Sequence, residues 1–168
     1  MDEKKIYLIA ELDEASNKKL AGIYDRLFSI GLIGEQTKGI PYHFTLGSFA
    51  PECQKQVFEH TQEICSKTKA FEINLGHIGL FGLKVLFIAP SINIELLKLY
   101  GDLTPDKSIN GVHNWVAHAT MLIDSPVNIK TAIPIVSEEF TPFTATVARV
   151  SMLEFPPVKI IKNFELSP

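Results

Sequence analysis

The chain has 168 residues, 46% hydrophobic and 21% charged, values of a single globular domain able to bury its own core; disordered, collagen-like and coiled-coil chains are excluded. A net charge of −3 with two arginines, Arg26 and Arg149, excludes a protein that coats long duplex nucleic acid through many phosphate contacts. Cys53 and Cys65, with no CxxC pair, offer neither a disulfide framework nor a zinc site, and both read as idle thiols.

In chain order, Lys5 to Leu12 sets Ile6, Leu8, Ala10 and Leu12 against Tyr7, Ile9 and Glu11, the pattern of a strand buried on at least one face. Asp13 is placed to cap a helix whose Leu20, Ile23, Tyr24, Leu27 and Phe28 form one apolar stripe, ending near Gly31 or Gly34. A loop from Gly34 to Pro41 leads into a strand from Tyr42 to Phe49. Pro51 opens the next helix, with Val57, Thr61, Ile64 and Cys65 inward, to about Lys67. Phe71 to Leu75 and Leu83 to Ala89 read as a strand pair around a glycine-rich connection, Gly76 to Gly82. Ser91 is expected to cap a third helix with Ile92, Leu96, Leu99, Tyr100 and Leu103 on its stripe, ended by a polar loop from Thr104 to Gly111. Trp115 to Ile123 is the next strand. Ser125-Pro126 starts a helix carrying Ile129, Ala132, Ile133 and Val136, in which Pro134 predicts a kink or a split. Phe143 to Glu154 and Val158 to Leu166 close the chain as strands. Met1 to Lys5 runs directly into the first strand without the apolar stretch of a signal peptide, and no apolar run approaches the ~18 residues of a membrane span. A cytoplasmic location and no membrane partner are expected.

The order strand, helix, strand, strand occurs twice, over about 42–89 and 115–166. The interval from His43 to Pro51 equals that from His118 to Pro126. One domain over 1–168, α+β and bilobal, with approximate internal twofold symmetry, follows from this repetition. The repeated strands carry His43-Phe44-Thr45-Leu46 and His118-Ala119-Thr120-Met121. Because strand side chains alternate, His and Thr project together on one face while the apolar residues enter the core.

This residue set suits displacement at a phosphodiester. Such a reaction needs a base for the attacking hydroxyl or water and an acid for the departing oxygen, and imidazole serves as either near neutral pH. Two symmetry-related strands set one histidine on each side of a shared cleft, and the threonine hydroxyls can donate to the nonbridging oxygens. No cofactor or metal is called for. His60, His77 and His113 lack a matched partner and read as structural. Gly47-Ser48 and Gly76-His77-Ile78-Gly79 match no nucleophile elbow or phosphate loop. Tyr42 and Phe49, which shares strand parity with His43, are expected to bind substrate by stacking, whereas Trp115 has the opposite parity to His118 and reads as core. Arg149 in the late strand pair and Lys84 in the matching half are candidates for phosphate, with a solvated charge the favoured reading of each.

Two His-x-Thr-x motifs 75 positions apart resemble the 2H phosphoesterase superfamily, the family of 2'-5' RNA ligases and RNA 2',3'-cyclic phosphodiesterases, over nearly the whole chain. The resemblance implies two antiparallel sheets with helices outside and an active-site cleft between the lobes. It also implies metal-independent catalysis by His43 and His118, assisted by Thr45 and Thr120. Ala117 stands where members often carry proline, and the scarcity of arginine disfavours long RNA. The expected activity is a phosphodiesterase or reversible ligase acting on 2',3'-cyclic or 2'-5' linkages of RNA ends, oligonucleotides or small nucleotides. The expected partner is a small nucleotide or short RNA, and the expected state a monomer. The alternative is a nucleotide- or RNA-binding module that uses the same cleft without turnover.

Overall fold

A computed structural model describes residues 3–104 and 115–168. The predicted loop beyond Thr104 and His113 lie outside the described residues. The elements are β1 (Lys5–Leu12), α1 (Glu14–Phe28), β2 (His43–Phe49), a 3-10 turn (Pro51–Cys53), α2 (Gln54–Lys67), β3 (Phe71–Phe81), β4 (Val85–Pro90), α3 (Ile94–Leu103), β5 (Ala119–Ile123), α4 (Pro126–Glu139), β6 (Phe143–Phe155) and β7 (Lys159–Glu165). No helix among the described residues is long and apolar enough to cross a membrane.

The strands form an antiparallel sheet in the order β2-β1-β6-β3-β4-β5, with β7 also on β6. The α+β class holds, but the two expected sheets are joined. β6 is long enough to serve both halves: residues 143–147 pair with β3, and residues 149–154 pair with β7, both on the edge opposite β1. The halves β2-β1-β6-β7 and β6-β3-β4-β5 therefore share one strand. α1 and α4 pack together over β4, β5 and β6, while α2 and α3 pack together over β7 and β2.

The alternation read in β1 is met. Ile6, Leu8, Ala10 and Leu12 are buried under the helices with Phe44 and Leu46 of β2 and Ala119 and Met121 of β5. Asp13 caps α1 by accepting from Ser16 N at 2.9 Å and ties it to β6 by accepting from Thr146 N at 2.6 Å. Burial opposes ionisation of this carboxyl, yet those bonds hold it below the ordinary carboxylate value.

Two local expectations are corrected, and of the kink or split expected at Pro134 the split does not occur. Gly76 to Gly79 is not a connection but the interior of β3, and the turn falls after Phe81, where Gly82 takes a positive φ of 56°. Gly79 belongs in a strand because a ring occupies its side-chain space: a Cβ there would lie 2.3 Å from Phe87. α3 is capped by Asn93, which accepts from Leu96 N at 2.8 Å, rather than by Ser91, and Ile92 before it is exposed. α4 runs unsplit through Pro134, which sits on its exposed side.

Candidate active site

β2 and β5 are the two ends of the strand order, yet they touch each other, so the sheet curves until its outer strands meet. Trp115 fastens that meeting. Its Nε1 donates to the Thr45 carbonyl at 2.9 Å, and its ring stacks on Tyr100 with centroids 4.1 Å apart and planes 6° apart. Trp115 thus packs against the core as expected, although residues 115–118 precede β5 rather than extending it back to Trp115, and it binds the approach to the second motif to the strand of the first.

The two motifs share the same local devices. His43 Nδ1 lies 2.7 Å from the Pro41 carbonyl, and His118 Nδ1 lies 2.7 Å from the Val116 carbonyl, two residues back in both cases. A carbonyl only accepts, so each Nδ1 carries the hydrogen and each Nε2 is left as the reactive nitrogen. Among the described residues neither Nε2, nor the hydroxyl of Thr45 or Thr120, makes a hydrogen bond. The second shared device is a β-bulge. Leu8 and Ile9 pair with Gly47 and Thr45, skipping Leu46; Leu86 and Phe87 pair with Leu122 and Thr120, skipping Met121. The final residue of each motif is the bulged one, and both are buried. Each threonine consequently keeps the face of its histidine while the strand beyond it changes parity.

That change corrects the reading of Phe49. Past the bulge, Phe49 pairs with the fully buried Ile6 and packs against the core, so it is on the face opposite His43 and cannot stack a substrate there. Tyr42 lines a cavity of 260 Å³ together with His43 and Thr120, and its buried phenol is held above the ordinary tyrosine value mainly by desolvation. Thr45 and His43 line a second depression of 220 Å³ with Tyr7, Ile9 and Phe155. His43 stands where the two depressions adjoin. Arg149 occupies the same face, two strands away, but is ion-paired: its Nε donates to Glu165 at 2.6 Å and its Nη1 lies 3.6 Å from Glu11. Lys84 sits in the turn before β4, its backbone bonded to Phe81 and Asp124.

The histidines have different surroundings. Burial pushes His43 below the ordinary histidine value, and the nearby His118 acts in the same direction; the Pro41 carbonyl and Glu11 oppose them. Glu11 is directly across from His43 on β1 and continues the row to Arg149 and Glu165, so that charges alternate across the three strands beyond β2. Ser151, two residues beyond Arg149 on β6, donates to Glu11. His118 is instead held between rings, edge-on to Phe81 at 4.8 Å and tilted against Phe87 at 5.2 Å. Sequence reasoning missed Phe81, Phe87 and Glu11. The signal for the two rings was Gly79, whose missing side chain admits Phe87.

The remaining histidines are elsewhere. His60 Nε2 is 2.7 Å from the Asp102 carbonyl, joining α2 to the end of α3, and His77 contacts Ser91. Cys65 is buried, which pushes its thiol up to about 12, while Cys53 is part-buried. No group of three metal-ligating side chains occurs among the described residues.

No family model matches the sequence, and no curated protein matches it. Solved structures do. LigT of E. coli in complex with NADP+ superposes with a TM-score of 0.70 at 14% identity, covering 99% of this chain and 100% of that one. A crystal structure of a phosphoesterase matches with a TM-score of 0.65 at 13% identity, covering 99% and 100%. TT0787 of Thermus thermophilus gives 0.64 at 13% identity, covering 96% and 97%. The chain therefore has the LigT-like α+β fold from end to end.

Proposed function

We propose that this chain is a metal-independent phosphodiesterase, or reversible ligase, acting on 2',3'-cyclic or 2'-5' linkages of small nucleotides or short RNA ends. The observation that carries the reading is the matched pair of Nδ1 bonds, because it leaves two Nε2 atoms and two uncommitted hydroxyls where β2 and β5 meet, with His118 immediately before β5. That LigT has been crystallised with NADP+ and with 3'-AMP supports nucleotides as the ligand class.

In hydrolysis of a cyclic phosphate, His43 is the base and His118 the acid. The depressed basicity of His43 keeps it neutral at neutral pH, so its Nε2 takes a proton from water as the water oxygen bonds to phosphorus. The bond from phosphorus to one ribose oxygen breaks, and protonated His118 delivers a proton to that oxygen. Thr45 and Thr120 donate to the nonbridging oxygens as charge builds on them. Proton transfer and charge stabilisation are both supplied by these four side chains.

Phosphorus NMR of a panel comprising 2',3'-cyclic nucleotides, 2'-5' oligonucleotides and cyclic-ended RNA tests the proposal. Conversion of at least one diester to a monoester, at a rate unchanged by exhaustive chelation, is expected. Saturable binding of these compounds with no turnover would identify the binding module instead, and loss of rate on chelation that one divalent ion restores would overturn the mechanism.

The packing around His118 gives a further expectation. In Gly79→Ala the new methyl displaces Phe87, which bears on His118, and overpacking of this kind costs about 1–3 kcal/mol. Turnover should fall about tenfold through misplacement of the imidazole, with KM little changed. A lowered melting temperature with kcat intact would restrict Gly79 to packing.

A further inference from the structure

The cavity of 260 Å³ beside His43 and Thr120 has a cation built into its wall. Its outer side is formed by residues 36–42, and this segment is strapped to β5, the strand of Thr120: Glu35 N donates to the Ile123 carbonyl at 2.7 Å, and Gln36 Oε1 accepts from Ile123 N at 3.2 Å. Gly34 permits the strap. Its φ is +72°, and a Cβ there would lie 2.1 Å from Gln36 Oε1 and 2.6 Å from Leu122.

Lys38 is held by this strap. Its Nζ lies 2.9 Å from the Ile33 carbonyl, 2.5 Å from the Tyr24 hydroxyl and 4.4 Å from the centre of the Tyr24 ring. The Tyr24 hydroxyl spends its own hydrogen on the Ile33 carbonyl at 2.7 Å, so it accepts from Lys38. An ammonium has three donors, and these contacts use two. Like most lysines of the chain, Lys38 has no carboxylate partner among the described residues; it differs in being held by the Tyr24 hydroxyl and the Ile33 carbonyl beside the cavity. A lysine ordinarily loses much rotamer freedom when it binds an anion; here that ordering is already done by the fold.

We propose that this cavity is a subsite for a second phosphate of the substrate, held by Lys38. The favoured substrate is thus a diester carrying another phosphate on the same nucleoside, in preference to the same diester without it. This rests on the phosphodiesterase reading, since the reacting phosphate must lie at His43, and it names the substrate class for that site. At ~30 Å³ per water the cavity holds the equivalent of about eight or nine waters, room for a ribose-linked phosphate but not for a long chain. The second phosphate can be a 5'-terminal monoester or the next internucleotide diester.

Three substrates distinguish these sources: adenosine 2',3'-cyclic phosphate, the same compound with a 5'-phosphate, and a diadenosine ending in a 2',3'-cyclic phosphate. The wild-type protein is expected to show kcat/KM about tenfold or more higher on one or both phosphate-bearing substrates, expressed mainly in KM, as suits a charge-assisted hydrogen bond. In Lys38→Met the ratio to the plain cyclic nucleotide should fall to near one, and Lys38→Arg should retain most of it. Equal kcat/KM on all three substrates in the wild type would overturn the subsite while leaving the phosphodiesterase reading intact. So would a Lys38→Met variant that loses rate equally on every substrate, the result of a merely structural role. If no diester is turned over, calorimetric binding of the same three compounds to wild type and Lys38→Met makes the same comparison, and absence of a phosphate-dependent gain there overturns the proposal.

Discussion

His43→Ala and His118→Ala should each lower turnover of a verified diester about 10²- to 10⁴-fold while leaving the fold intact, as removal of a general base or acid does. Both rings are part-buried, yet neither Nε2 makes a hydrogen bond among the described residues, so melting temperatures are expected to change far less than rates. Acting as a unit, the pair should be non-additive, the double variant losing little more than the worse single one. Wild-type-like turnover in either variant would remove that histidine from the chemistry.

The pH profile separates their roles. A base must be neutral, and His43 is held below the ordinary histidine value of 6.5, so the acid limb of the rate should lie below pH 6.5 and vanish in His43→Ala. The same depression has a sign for stability. Below pH 6.5 the unfolded chain binds more protons at this ring than the folded one, so the ring's contribution to stability falls as pH drops through that range.

Thr45→Val and Thr120→Val should each slow turnover about 10- to 150-fold, the worth of a hydrogen bond of roughly 1.5–3 kcal/mol to a charged oxygen. Valine keeps the branched shape a strand favours and removes only the donor, so Thr→Ser should be much milder. Neither hydroxyl has a partner among the described residues, hence no native bond is lost that could be mistaken for a catalytic one. Unchanged rates in the valine variants would confine the threonines to structure, and a rate loss that merely tracked unfolding would leave the catalytic role without support.

The motif strands were legible in the sequence because period-two alternation and the repeated His-x-Thr-x spacing act together over a few residues, although the second begins at Ala119 rather than at Trp115. Burial of Phe44, Leu46, Ala119 and Met121 follows from that pattern alone. Phe49 was misread because alternation assumes an unbroken ladder, and a bulge at Leu46 depends on the partner strand, which no local pattern reveals. Gly76 to Gly79 was misread for a related reason: glycine signals a turn by its backbone freedom, but here its use is the absence of a side chain opposite Phe87. The helix cap at Asn93 lost to Ser91 in the reading because both residues are good caps and Ile92 extends the apparent stripe. Glu11 stood in plain view as one polar residue of an alternating strand. Its partnership with His43 comes from sheet register, a long-range property.

The strand shared by both halves has a mechanical consequence. A clamshell needs a flexible joint, but β6 crosses the boundary as one 13-residue strand whose ladder bonds continue on both sides of it. On the opposite side, Trp115 fastens the outer strands together. The jaws are thus joined at the back and tied at the front, and the spacing between the histidines is set at folding rather than at each encounter with ligand.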